Sequence, residues 1–224
     1  VLGRTGSGKT TFALWLLSGT NFDTQPWVIL NTKGDKNINE IAAIPGVKTL
    51  DVSETPGERG LYVVNPTPKQ GVELDAFLQR IWDKQNCGVF VDEVYMISPD
   101  DALNSCLTQG RSRRVPLIIC SQRPAWCTRF VFSESEFVSL FNLQDREDRK
   151  SIARIVPVDR DYRLARFNSY WYDVGDERLV HFTPVPEMPA IIDTFRAKFP
   201  PNDAQEAGPL VAPYVKSPLP KRVI

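Results

Sequence analysis

Four residues near the start of the chain, Gly3, Gly8, Lys9 and Thr10 in "GRTGSGKTT", stand at the spacing G-x-x-x-x-G-K-[ST]. That spacing suits the binding of a triphosphate: the glycines let successive backbone N–H groups turn inward on phosphate oxygens, and a helix that follows aims the positive end of its dipole at them. The expected contacts run from Gly3 through Arg4, Thr5, Gly6, Ser7 and Gly8 to Lys9, Thr10 and Thr11. Lys9 should reach the β- and γ-phosphates, and the Thr10 hydroxyl should ligate Mg²⁺.

Hydrolysis of a triphosphate needs an acidic partner for that cradle. "CGVFVDEVYMI" supplies one: Val89–Val91 reads as a buried parallel strand with Asp92 and Glu93 at its C-terminal end. In an open parallel sheet ligands sit beyond the carboxyl ends of the strands, where both motifs would then meet. Asp92 would hold Mg²⁺ through water, and Glu93 would act as the general base on the attacking water. A third element follows in "QGRSRRVPLIICSQRP", where Gln122 closes another apolar strand and could sense the γ-phosphate. Arg111, Arg113, Arg114, Arg123 and Arg129 gather around it, and no acid lies between Ala102 and Ser133.

The elements needed to position these groups can be read along the chain. "TFALWLLSG" has helical spacing and ends on Gly19, a candidate C-cap; "PWVILNT" reads as a strand, and "VKTLDV" and "LYVVNP" can add two more. "GVELDAFLQRIWDKQ" places Val72, Leu74, Phe77, Leu78, Ile81 and Trp82 on one helical face. A helix from Asp101 precedes the arginines, "VPLIIC" is read as a buried strand, "EFVSLFNLQ" as the next one, and "DREDRKSIARIV" as a charged helix. The alternation predicts an α/β fold with a mainly parallel central sheet flanked by helices. "SYWYDVGDERLVHFTPV" then reads as a C-terminal β-hairpin near 168–185 turning at Gly175 and Asp176, in which His181 and the aromatics Tyr170, Trp171 and Tyr172 are expected to pack rather than react. Half of the 18 prolines fall from Pro184 onward. The expected division is therefore a domain over residues 1–198 and a proline-rich tail over 199–224.

Bulk composition narrows the field without choosing a partner. Lysine plus arginine and aspartate plus glutamate number 27 each in 224 residues, so any basic surface must be local. Cys87, Cys106, Cys120 and Cys127 form no C-x-x-C pair and have one histidine for company, which argues against zinc and for reduced, buried thiols. No apolar run approaches the roughly 18 to 20 residues of a membrane span. The expectation is a soluble intracellular protein whose first strand is cut short before Val1.

Taken together, "GRTGSGKT", "VFVDE" and "QGRSRRVPLIICSQRP" resemble the FtsK/HerA superfamily of DNA-pumping ATPases, over about residues 1–145. In size the chain is most similar to the genome-packaging ATPases of tailless, internal-membrane-containing double-stranded DNA viruses and phages. The resemblance implies a P-loop NTPase of the additional-strand, catalytic-glutamate type that uses ATP and Mg²⁺, with double-stranded DNA as partner. It also implies a homo-oligomeric ring, a hexamer in most members, with Arg111 offered to a neighbour's γ-phosphate and Arg113, Arg114, Arg123 and Arg129 available to DNA. A capsid vertex or other virion proteins would be further partners, and the host cytoplasm or the virion the location. A HerA-like cellular or plasmid translocase and an assembly ATPase acting on protein are the competing expectations.

Overall fold

The computed structural model describes residues 1–97 and 101–200. In chain order the elements are α1 (Lys9–Ser18), β1 (Trp27–Leu30), α2 (Lys36–Ala42), β2 (Lys48–Leu50), β3 (Leu61–Val64), α3 (Gly71–Lys84), β4 (Gly88–Val91), α4 (Asp101–Gln109), β5 (Leu117–Ile119), α5 (Phe130–Ser133), β6 (Phe137–Leu140), α6 (Arg146–Ile152), β7 (Ser169–Asp173), β8 (Arg178–Phe182) and α7 (Met188–Lys198). Two short 3₁₀ turns, Val94–Met96 and Pro124–Trp126, follow β4 and β5.

Five strands form a parallel sheet in the order β2-β3-β1-β4-β5. Its inner strands β1, β3 and β4 are buried at every residue. Strands covered on both faces read as continuous apolar runs, which is why "WVIL", "LYVV" and "GVFV" stood out. One face packs on α3 and α4 through Phe77, Leu78, Ile81 and Leu103, the other on α1, α2 and α7 through Leu14, Ile38 and Phe195. β5 departs from the expected buried strand: it stands at the sheet's end with all three residues half-buried.

The remaining strands form a separate antiparallel sheet, β6-β7-β8. "EFVSLFNLQ" thus forms the predicted strand but pairs with the hairpin instead of extending the parallel sheet. Leu2 links the two sheets, with parallel bridges to Ser121 beyond β5 and to Leu140 in β6. The hairpin turns where expected, Asp173 accepting the N–H groups of Gly175 and Asp176. Trp171 stacks on Phe137 at 5.1 Å and Tyr172 is buried, in line with the packing role expected of the aromatics. His181 packs edge-on against its cross-strand partner Tyr170 at 6.0 Å, as expected, while remaining exposed with Nε2 3.2 Å from the Asn168 amide.

Two helices differ from expectation in detail. Val72 is 82% exposed: α3 begins at Gly71, and its buried face starts only at Leu74. α7, with Pro189 in its first turn, was not anticipated among the prolines, although a proline there costs no hydrogen bond. Residues 201–224, which carry most of the proline-rich tail, lie outside the described residues.

Candidate active site

The cradle is built where α1 begins. Gly8 caps the helix at φ 97°, a left-handed conformation that only glycine adopts without strain. Gly3 is required for a different reason: a Cβ there would stand 2.5 Å from Ser7 Oγ and 2.7 Å from Phe141 Cβ. Ser7 is buried, and its Oγ has no hydrogen-bond partner, so the loop holds an unused polar group where phosphate oxygens would enter. At the other end of α1, Gly19 is the C-cap as expected, in right-handed rather than left-handed geometry.

The entry to the loop is hydrogen-bonded on both sides. Gly3 N–H donates to Ser121 O at 3.1 Å, while Leu2 N–H donates to Ser139 O at 2.8 Å and Arg4 N–H to Asn142 O at 2.9 Å. The cradle therefore sits between the tip of β5 and the antiparallel sheet.

Asp92 and Glu93 follow β4 directly and face this loop. Thr10 Oγ1 donates to Asp92 Oδ1 at 3.3 Å, and Asp92 Oδ2 is buried without a hydrogen-bond partner. A hydroxyl beside a carboxylate with a spare oxygen is a hard-donor set that fits Mg²⁺. Burial, reinforced by the charges of Asp35 and Glu93, pushes the Asp92 carboxyl up to about 6. A cation in the site would relieve both effects.

Glu93 is fully buried. Its Oε1 lies 2.7 Å from Lys9 Nζ and 3.8 Å from Lys33 Nζ, and its Oε2 accepts the Gln122 N–H at 3.0 Å. Burial works against the charge on Lys9, but the attraction of Glu93 and the hydrogen bond between them outweigh it and raise the Lys9 pKa. The Gln122 side chain spans the mouth of the site, accepting from Thr5 Oγ1 and donating to Tyr95 Oη at 2.6 Å. Lys9, Thr10, Asp92, Glu93 and Gln122 are thus brought together from three separate segments. Lys33 and Tyr95 belong to the same cluster and were not singled out from sequence. Lys33 arrives because Leu30 of β1 is in register with Val91 of β4, an adjacency that spacing along the chain does not reveal.

The arginines separate. Arg111, 93% exposed, sits before β5, at the end opposite Gln122, with Glu136 at 3.3 Å. Arg113 lies 3.4 Å above the Trp82 ring and is half-buried. Arg123 is held by Asp148 at 3.0 Å and Asp145 at 3.6 Å and stacks on Trp126 at 4.2 Å. Both are committed to internal contacts, which weighs against the DNA contacts expected of them. Arg114 and Arg129 are exposed.

A parallel sheet with a phosphate cradle beside β5, and an acid pair at the tip of β4 one strand further in, define a P-loop NTPase. Comparison with known proteins agrees. The genome packaging NTPase B204 of Sulfolobus turreted icosahedral virus 2, in complex with AMPPCP, superposes with a TM-score of 0.64 at 15% identity, covering 83% of this chain and 96% of that one. Its complex with ATP-gammaS gives 0.62 at 15% identity, covering 83% and 95%. No family model matches the chain. The DNA packaging ATPase P9 of Enterobacteria phage PRD1, however, is 42% identical over 209 residues, 87% of this chain and 90% of that protein. The chain belongs to the family of that DNA packaging ATPase, in keeping with the resemblance drawn from its motifs.

Proposed function

We propose that this protein is an ATP-hydrolysing motor that moves double-stranded DNA, packaging a viral genome into a preformed capsid. The observation that carries the chemistry is the buried Glu93 carboxylate held between Lys9 and Gln122 at the rim of the phosphate cradle. Family membership with a DNA packaging ATPase carries the choice of DNA as the load.

In this reading the loop from Gly3 to Thr11 wraps the ATP phosphates through its backbone N–H groups, and Lys9 turns from Glu93 to the β- and γ-phosphates. Thr10 directly and Asp92 through water would hold Mg²⁺, which would supply positive charge against the β- and γ-phosphates. Glu93, released from Lys9, accepts a proton from the attacking water, and Gln122 reports whether the γ-phosphate is present. Arg111 is at the wrong end of β5 for its own cradle, which supports its use by a second copy. A ring, most simply a hexamer, supplies such a neighbour, and an arginine of this kind is worth about 10³ to 10⁵ in rate. Arg114 and Arg129 remain the arginines free to meet DNA phosphates, where grip would weaken steeply with salt.

The ATPase domain is read as residues 1–198, with the proline-rich tail from 199 available to a capsid vertex or other virion protein. No helix among the described residues is long and apolar enough to cross a membrane. Work in the host cytoplasm, followed by association with the virion, suits that reading.

The test is steady-state ATP hydrolysis with and without double-stranded DNA at low and moderate salt, comparing wild type with Arg111→Ala and Glu93→Gln. Stimulation by DNA, lost in both variants while Arg111→Ala still binds ATP, supports a ring motor. An Arg111→Ala protein that hydrolyses normally, with no response to DNA, removes the motor.

A further inference from the structure

The Glu93 carboxylate is closed off from solvent, and its Oε1 faces two cations, Lys9 at 2.7 Å and Lys33 at 3.8 Å. Under the function proposed above, which this inference presupposes, Lys9 must leave Glu93 when ATP enters. A buried carboxylate that loses its partner is strongly destabilised. Lys33 is the other cation within ion-pair range of Glu93 among the described residues.

Its setting is a fixed base with a free tip. Asn31, itself buried, accepts the Asp35 N–H at 2.8 Å and donates to Asn39 at 3.0 Å and Asn65 at 2.8 Å. Gly34 N–H donates to Asn31 O at 3.3 Å, and Thr32 Oγ1 donates to the Glu93 carbonyl at 3.5 Å. These bonds fix the loop around Lys33, and the Thr32 hydroxyl ties it to the Glu93 backbone, while the Lys33 side chain remains 39% exposed.

We propose that Lys33 is a positioning residue for hydrolysis: when Lys9 moves to the nucleotide, Lys33 takes over the Glu93 carboxylate and holds it toward the attacking water. Without nucleotide the role is idle, because Lys9 already pairs with Glu93 at the shorter distance.

The full chain tests this through ATP-dependent hydrolysis kinetics and binding of a fluorescent ATP analogue, for wild type, Lys33→Met, Lys33→Arg and Glu93→Gln. Lys33→Met is expected to lower kcat by about 10- to 100-fold, the scale of a misplaced reacting group. KM, analogue affinity and the nucleotide-free melting temperature should stay at wild-type values, and Lys33→Arg should recover most of kcat. A Lys33→Met kcat equal to wild type overturns the proposal, as does a loss that Lys33→Arg leaves unrepaired or one matched by lost analogue affinity. Glu93→Gln separates the two layers. If it is inactive while Lys33→Met is normal, only the role of Lys33 falls; if it hydrolyses ATP, the assignment of Glu93 falls as well.

Discussion

The two sheets of this protein are built from similar strands and do different work. In the parallel sheet the inner strands β1, β3 and β4 are buried throughout, and Asn31, Asp92 and Glu93 stand just past the ends of β1 and β4, with Gln122 beyond β5. In the antiparallel sheet β8 has no buried residue and β7 has two. Yet the second sheet leans on the cradle, with Phe141 against Gly3 and Phe167 against Gly8. The difference teaches that apolar strands buried on both faces can hold ionised groups at their ends in fixed positions, whereas the half-open sheet supports the cradle with aromatic packing and backbone hydrogen bonds.

Substitutions can break that division, and the largest effect belongs to the rim. Glu93→Gln should lower kcat by about 10² to 10⁴, the range of a lost general base. A single-turnover assay with near-normal cleavage would place the base elsewhere. Next comes the interior that supports the rim. Phe90, fully buried in β4, should cost about 3 to 5 kcal/mol on replacement by alanine, measured by denaturant unfolding. A value below about 1 kcal/mol would mean the sheet is not the rigid platform described here.

Asp92→Asn sharpens the comparison by setting chemistry against stability. The Asp92 carboxyl is raised from 3.8 to about 6 by burial and by the neighbouring Asp35 and Glu93 charges. A carboxyl raised on folding weakens the native state once it ionises, so the cost is absent below its unfolded pKa, grows between the two values and is complete above pH 6. The variant should therefore be more stable than wild type by roughly 1 to 3 kcal/mol at pH 7.5, with the gain fading by pH 4. Thermal melts across that range without Mg²⁺ and nucleotide check it, and equal melting temperatures at pH 7.5 contradict it. The smallest effect is expected on the open sheet. Phe137, 48% exposed, should cost about 1 kcal/mol or less on replacement by alanine and leave kcat unchanged.

What the sequence disclosed follows the same division. "GRTGSGKTT" could be read because the whole cradle is local, and "VFVDE" because a doubly covered strand is apolar up to its polar tip. The order β2-β3-β1-β4-β5 could not be read, and whatever depends on it was missed. Lys33 meets Glu93 only because β1 lies beside β4. β6 has the composition of any short strand, so its membership of the hairpin sheet rested on partners about 30 residues away. The partners of the arginines were hidden for a related reason: absence of nearby acid in sequence did not prevent Arg123 from finding Asp145 and Asp148, nor Arg113 from finding Trp82.

The hydrogen bonds around Leu2, Gly3 and Arg4 also have a mechanical meaning. Ser121, next to Gln122, is bonded to Gly3, and the opposite flank of the same short segment is bonded to Ser139 and Asn142. The tip of β5, the cradle and the outer sheet are therefore joined in a row by backbone hydrogen bonds, like links of one chain. Any displacement of this short segment must be shared with both flanks, because each is hydrogen-bonded to it directly.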